Sequence, residues 1–311
     1  MSEYPVHIEI EPRVHLIRGA NEARFPQANC LLVDDEVLTI VDAGADISRV
    51  RQTLSYLGHE MKDIDRIVLS HFHIDHKAFA TEIVEEADCE VLCHPLAERG
   101  VRTFAGMIEC YGIDGHRYFD EWKRTIPTWV PRIMSDYRVT GNFHDGVPID
   151  CGQTKLYPIH TPGHTSDHTC FGINGYDTIL LVDIDLTRFG PWYGNIVSDI
   201  EDFERSIRRI MEMNPAVGVS SHLLEPVRGG LQERLVQYLG VIDERNKTII
   251  RLISEGYDTC QKLASRPTIY PRIPFNLYAV FEEYMVQKHI ELLTKRNIVR
   301  TEGGRLVVVR S

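Results

Sequence analysis

The 311-residue sequence contains no apolar run approaching the roughly 18 residues that a membrane-spanning helix needs, so no such helix is expected. Its start, MSEYPVHIEIEP, carries acids and has neither the basic stretch nor the apolar core of a secretory leader, which points to a cytoplasmic protein. Cysteine is present, at positions 30, 89, 93, 110, 151, 170 and 260, but no CxxC pair occurs and the number is odd. That speaks against a disulfide framework and for reduced thiols acting as small apolar residues. Low-complexity segments are absent, and 43% hydrophobic with 25% charged residues is ordinary for a globular enzyme. Basic charge is also scarce. Against 34 Lys and Arg stand 45 Asp and Glu, a net charge of −11. Residues 231–311 carry 13 basic and 9 acidic side chains, so the first 230 residues hold a net −15. So acidic a surface opposes nonspecific nucleic-acid binding.

Histidine, by contrast, is concentrated. Residues 70–76 read SHFHIDH and place His71, His73, Asp75 and His76 within six positions. The apolar run 67–69 precedes them, and residues 78–87 follow with helical spacing that puts Phe79, Ile83 and Ala87 on one face. The four polar side chains therefore sit on a tight strand-to-helix loop, which can aim several ligands at one point. Imidazole and carboxylate without thiolate suit zinc, iron or manganese. Three imidazoles packed on one loop gain little without a metal.

Further single residues stand at the ends of apolar runs in order along the chain. Asp42 in IVDAGAD follows the run 37–41, His164 lies in HTPGHTSDH, Asp183 closes the run in ILLVDIDLT, and His222 lies in VSSHLLEP. With HxHxDH, this ordered set resembles the metallo-β-lactamase superfamily over residues from about 10 to 225. Within it the chain is most similar to the glyoxalase II-like hydrolases and the lactamase-β-like ribonuclease group, notably through PGHTSDH. The resemblance implies an αββα sandwich, an α/β fold that periodicity alone cannot derive. It implies two divalent metal ions, most simply zinc, with iron and manganese as alternatives. One metal would take His71, His73 and His164, the other Asp75, His76 and His222, with Asp183 bridging both. Asp185, two residues on, rivals Asp183, since i and i+2 on a strand face the same side. Asp183 is preferred because it directly ends the apolar run. Asp42 is expected to hold the HxHxDH loop through hydrogen bonds rather than to ligate.

Around this set the chain divides into a catalytic part, 1–230, and a C-terminal part, 231–311. Strands are expected within 6–17, 29–33, 37–41, 67–69 and 90–93, and again at 156–160, 170–173, 178–182 and 215–220. Residues 47–57 and 199–213 have helical spacing, the first ending at Gly58. Residues 96–147 interrupt the strand rhythm with an aromatic-rich, largely helical insertion that Pro127 and Pro131 are expected to break. An insertion of this size is often a substrate wall. In the C-terminal part, helices over 231–253 and 277–295 precede a hairpin at 301–309. That order resembles the winged-helix-like module of the ribonuclease group. Packing on the catalytic part, or dimerisation, is favoured over nucleic-acid contact. Glu282, Glu283 and Glu291 would put negative charge on the helix expected to approach phosphate.

Two departures from the family pattern bear on substrate. Lys77 and Ala78 follow HxHxDH where small residues are usual, so Lys77 either reaches a substrate anion or turns to solvent. The stretch DLTRFGPWY after Asp183 is long and aromatic. Tyr193 stands where some lactonases and thioesterases of the superfamily place an oxyanion-stabilising tyrosine. Arg188 could hold an acidic group, Trp192 could wall a pocket, and His168 could contact substrate or support a ligand.

A divalent metal lowers the pKa of its water from about 15.7 towards about 7, so hydroxide forms at neutral pH and Asp75 can orient it. The resemblance thus implies a dinuclear metal-dependent hydrolase in which this hydroxide attacks a small-molecule thioester or ester, of an acyl-CoA or acyl-glutathione type. A phosphodiesterase or endoribonuclease is the first rival. A non-hydrolytic iron oxygenase or regulatory metalloprotein on the same fold is the second.

Overall fold

The computed structural model describes residues 4–273 and 275–309. Residues 1–3, part of the stretch from which the absence of a leader was expected, lie outside them. Among the described residues, strands β1 (His7–Glu11), β2 (Val14–Ile17), β3 (Cys30–Val33), β4 (Thr39–Val41), β5 (Arg66–Leu69), β6 (Glu90–Cys93) and β7 (Gly141–Asn142) form a seven-stranded sheet in sequence order. It is antiparallel as far as β4 and parallel from β4 to β7. Strands β8 (Ile149–Asp150), β9 (Lys155–His160), β10 (Thr169–Ile173), β11 (Thr178–Val182), β12 (Val217–Ser220) and β13 (Val227–Arg228) form a six-stranded sheet, ordered β13-β12-β11-β10-β9-β8. Only β11 and β12 pair in parallel there.

The central strands are apolar on both faces, and the two periods of each strand serve two cores. Leu31, Val41, Val68, Phe171 and Leu180 point between the sheets, where they pack with Val14, Leu16 and Val219. Their sequence neighbours Leu32, Ile40, Ile67, Cys170 and Ile179 face outward into the helix layers. A strand buried on both faces must be covered on both, so helices flank the paired sheets and an αββα sandwich results. On one side lies Ile47–Leu57, capped by the Asp46 carboxylate on the Ser48 amide and closed by Gly58 at φ 90°. On the other lies Ile200–Met213, with Phe203, Ile207 and Ile210 buried.

The insertion forms the helices Glu98–Arg102, Phe104–Tyr111 and Phe119–Trp129 before β7 joins the sheet edge. The expected break at Pro127 does not occur. The helix runs two residues past it, because so close to the C-terminal end a missing amide costs only one terminal hydrogen bond.

The C-terminal part contains the helices Leu231–Ser254, Cys260–Ala264 and Asn276–Lys295, followed by the hairpin β14 (Val299–Glu302) and β15 (Arg305–Val308). Leu235, Ile242, Ile249, Leu277, Phe281, Met285 and Leu292 join the same apolar core as the outer faces of the sheets. Each such side chain fully buried contributes about 1.5–3 kcal/mol. The glutamates expected to make an acidic face do not. Glu282 is buried and accepts from the amides of Thr268, Ile269 and Tyr270 at 2.9–3.0 Å. Glu283 pairs with Arg117 and His116, and Glu291 with Lys288.

Candidate metal centre

The ends of β4, β5, β11 and β12 and the turn between β9 and β10 all open on one edge of the sandwich, and each delivers a polar side chain. Asp42 follows β4 with φ 62°, a left-handed conformation that aspartate tolerates better than most residues. It does not join the ligand set but braces it. One carboxylate oxygen accepts from the Ser70 amide at 2.8 Å; the other accepts from Ser70 Oγ at 2.8 Å and His76 Nδ1 at 2.7 Å. Ser70 Oγ in turn takes the His71 Nδ1 proton at 3.0 Å. His164 Nδ1 donates to the Trp192 carbonyl at 2.9 Å, and His222 Nδ1 to the Ala23 carbonyl at 2.7 Å. With each Nδ1 so occupied, the Nε2 lone pairs of His71, His76, His164 and His222 are left facing inward.

They converge on Asp183. Val182 directly before it has φ 53°, which a β-branched residue adopts only under strain, and the pairing of β11 with β12 shifts register at that point. One Asp183 oxygen lies 2.9 Å from His164 Nε2 and 3.6 Å from His71 Nε2. The other lies 3.2 Å from His76 Nε2 and 3.3 Å from His222 Nε2. His222 Nε2 is also 3.6 Å from Asp75, and His164 Nε2 is 2.8 Å from His73 Nδ1. Two groups follow, His71–His73–His164–Asp183 and Asp75–His76–His222, each with its donor atoms within 4.8 Å of one another.

Burial and charge divide the cluster. His71 and His73 are held well below the usual imidazole range by burial and by neighbouring imidazoles of the cluster. Burial depresses His76 too, but Asp183 and Asp42 overcome it and hold the ring well above that range. Burial would raise Asp183, yet His76, His164 and His222 hold it far below an ordinary carboxylate. His71 Nε2, His76 Nε2 and Asp183 Oδ1 are buried without a hydrogen-bond partner. A buried polar atom left unpaired costs free energy, and three converging ones fit a cation that the residues would share. The hard carboxylates and imidazoles suit a divalent first-row metal.

The other expected site residues fall in different places. Asp185 turns back to accept from the Thr187 amide and hydroxyl and stays out of the donor groups, one of which contains Asp183. His168 is fully buried and does not line the cavity; its Nδ1 donates to the Thr161 carbonyl and its Nε2 accepts from the Asp183 amide at 3.1 Å. Lys77 reaches neither substrate nor solvent. Buried, it donates to the Gly100 and Val101 carbonyls of the insertion, and burial pushes its pKa down to about 7. Tyr193 is likewise turned from the cavity, its hydroxyl between His289 Nε2 at 2.6 Å and Arg245 at 2.9 Å. The oxyanion role expected for it has no geometric basis. Arg188 is exposed and outside the cavity lining.

Trp192 does line the cavity. It is joined there by residues that the sequence did not single out as wall-forming, Phe25, Tyr270, Tyr278 and Phe281. Of the aromatics in the insertion, Tyr111 alone lines it among the described residues, stacked on His73 at 4.9 Å between ring centres. Asn195, also missed, places its side-chain amide 3.2 Å from both His73 Nε2 and the His164 carbonyl.

Comparison with known proteins adds to this geometry. The sequence model of the metallo-beta-lactamase superfamily matches residues 23–222. The chain is 24% identical over 270 residues to the "Beta-lactamase-like protein 2 homolog" of Drosophila melanogaster, covering 84% of this chain and 80% of that protein. It is 23% identical over 276 residues to the "Probable metallo-hydrolase YqjP" of Bacillus subtilis (strain 168), covering 78% and 81%. Its fold is similar to the crystal structure of the metallo-beta-lactamase family protein TTHA1429 from Thermus thermophilus, with a TM-score of 0.75, 18% identity, and coverage of 97% of this chain and all of that one.

Proposed function

The chain belongs to the metallo-beta-lactamase superfamily, and on that premise we propose that it is a dinuclear metal-dependent hydrolase that cleaves a carboxylic thioester or ester. The observation that carries this reading is the division of Asp183, one oxygen towards His71 and His164 and the other towards His76 and His222. Two cations, for which zinc is the simplest choice, would be held by the two donor groups. When bound they supply an acidified water and positive charge beside the scissile carbonyl.

The protein's own groups do the rest. Asp75 and Asp183 lie at the cavity floor as carboxylates that accept hydrogen bonds from the attacking water and fix its direction. Asp42, Ser70 and the Ala23 and Trp192 carbonyls keep the imidazoles of His71, His76, His164 and His222 in the tautomer that presents Nε2. Tyr111 and Trp192 cover His73 from two sides, with ring centres at 4.9 and 5.2 Å, and keep bulk water away from it.

Phosphodiester cleavage finds less support. Among the described residues lining the cavity, Arg24 is the one cation other than histidine, and it pairs with Glu22 at 2.6 Å. The test is elemental analysis of the protein as purified, followed by turnover of thioesters, lactones, phosphodiesters and RNA at that metal content. Thioester or ester hydrolysis that a chelator abolishes and that proceeds without oxygen is expected. Turnover of phosphodiesters or RNA alone, or an absolute need for oxygen, would overturn the reading.

A further inference from the structure

The cavity above the metal centre encloses about 540 Å³, several times the ~150 Å³ that accommodates a benzene ring. Its floor is the donor set, and its walls are aromatic. Trp192 meets Phe281 edge to face at 5.2 Å between centres; Phe281 meets Tyr278 at 5.9 Å; Tyr278 meets Tyr270 at 5.7 Å and Phe25 at 6.5 Å. Most of these contacts are near-perpendicular, so edges and faces interlock into a continuous apolar surface. Three of the rings come from the C-terminal part of the chain, more than 45 residues beyond the last metal-centre histidine, His222. Trp192, Tyr270 and Asp185 spend their polar atoms within that wall. Trp192 Nε1 donates to the Tyr270 hydroxyl at 2.6 Å, and the Asp185 carboxylate is taken by Thr187.

Apart from the donor set, the charged groups lining the cavity are Glu22, Arg24 and Asp185. Glu22 and Arg24 are exposed and paired to each other, and Asp185 is an acid. Away from the metal centre, a charged acyl group would thus meet no unpaired counter-charge, whereas an apolar one would gain from every ring it covers. We propose that the substrate carries a bulky, uncharged, apolar acyl group of about phenylacetyl size, and that the C-terminal residues Tyr278 and Phe281 set this specificity. The proposal rests on the hydrolase reading. In the reaction the carbonyl carbon gains a bond to the water oxygen and loses its bond to sulfur, and the leaving thiolate takes up a proton as the carboxylate product forms.

The experiment compares the acetyl, phenylacetyl and succinyl thioesters of N-acetylcysteamine, a small uncharged leaving group, on the metal-loaded protein. The phenylacetyl thioester is expected to exceed the acetyl one in kcat/KM by about 10- to 100-fold, with the succinyl thioester below both. Phe281→Ala and Tyr278→Ala should each lower the phenylacetyl-to-acetyl ratio by roughly 10-fold, and Phe281→Leu by less. Calorimetric binding of 2-phenylethanol gives a readout independent of turnover, weakening about 10-fold in Phe281→Ala whose circular dichroism matches wild type. Acetyl and phenylacetyl thioesters used equally well, preference for succinyl, or 2-phenylethanol binding unchanged by Phe281→Ala would overturn the proposal. If no thioester is cleaved while 2-phenylethanol still binds the wild type and not Phe281→Ala, the thioester half of the hydrolase reading falls and the apolar pocket stands.

Discussion

Two buried polar clusters among the described residues look alike by composition and differ in how their atoms are satisfied. One is the metal centre. The other lies where the C-terminal helices meet the loop after Asp183. There Arg245 donates to the Phe189 and Pro191 carbonyls and to the Tyr193 hydroxyl, Tyr193 meets His289, and His289 meets Asn246 at 2.7 Å. Each of these polar groups has a partner. At the metal centre, His71 Nε2, His76 Nε2 and Asp183 Oδ1 have no partner in hydrogen-bond geometry, although His76 Nε2 and Asp183 Oδ1 stand only 3.2 Å apart. Hydrogen-bond satisfaction, not burial or histidine content, separates a cluster built to take a ligand from one built to hold a loop. The second cluster still serves the first, since the loop it fixes carries the Trp192 carbonyl that orients His164.

The contrast breaks if the metal centre tolerates loss of a donor. His73→Ala should remove metal and lower kcat/KM by at least about 1000-fold, because both the ion and the position of the attacking water depend on it. Elemental analysis beside kinetics checks this, and full metal with retained turnover would refute the ligand assignment.

Bracing residues sharpen it. Asp42→Ala should cost roughly 10- to 100-fold in metal affinity or activity. It strips acceptors from the Ser70 amide, Ser70 Oγ and His76 Nδ1 at once, within a left-handed backbone that alanine resists. Asp42→Asn keeps one oxygen and a residue tolerant of that conformation, so its loss should be smaller. Titration of apo-protein with zinc separates the two variants. An equal loss in both would place the importance of Asp42 in its charge alone.

The second cluster is tested by acid. Burial, with Arg245 and Arg296 adding repulsion, pushes the His289 pKa down to about 3. Between the ordinary imidazole value near 6.5 and about 3, the unfolded chain therefore binds a proton that the folded chain refuses. Stability must fall as pH drops through that window, by up to about 1.4 kcal/mol per pH unit. His289→Gln should be less stable at pH 7 yet lose less between about pH 6.5 and about pH 4.5, read as thermal midpoints. A parallel decline in both proteins would mean that His289 titrates normally.

How much of this was legible in the sequence follows from how each part is encoded. The donors stand on short motifs at the ends of apolar runs, and a strand end fixes where its next residue goes. His71, His73, Asp75 and His76 could therefore be read from SHFHIDH itself before any coordinates, whereas His164, Asp183 and His222 were read through the resemblance to the superfamily. Asp42 was readable for the same reason. The Ala23 carbonyl was not, since every residue has one and only the left-handed turn at Asn21–Ala23 aims it at His222. The cavity wall was hidden differently. Tyr278 and Phe281 look like any apolar helix face and Tyr270 like any aromatic of a connecting loop, and which of them meets the cavity depends on packing across more than a hundred residues. Lys77 misled because its neighbours stand in the donor groups, although one residue further round a helical turn its side chain faces the insertion rather than those groups.

Tyr193 is where the comparison makes its finest distinction. Sequence position suggested a catalytic phenol; the structure puts its oxygen in the satisfied cluster, 2.6 Å from His289 Nε2 and 2.9 Å from Arg245. A donor serving an oxyanion is worth about 100- to 1000-fold in kcat when removed. A structural hydroxyl is worth about 1 kcal/mol of stability and leaves the chemistry alone. Tyr193→Phe should therefore change kcat by less than about 3-fold while lowering the thermal midpoint by several degrees, since both hydrogen bonds of the buried hydroxyl are lost. The ring still fills its place in the core, so no cavity term adds to the loss. A kcat reduced about 100-fold with the midpoint unmoved would return the residue to the reaction, and would require the loop to open so that its hydroxyl leaves His289 for the cavity.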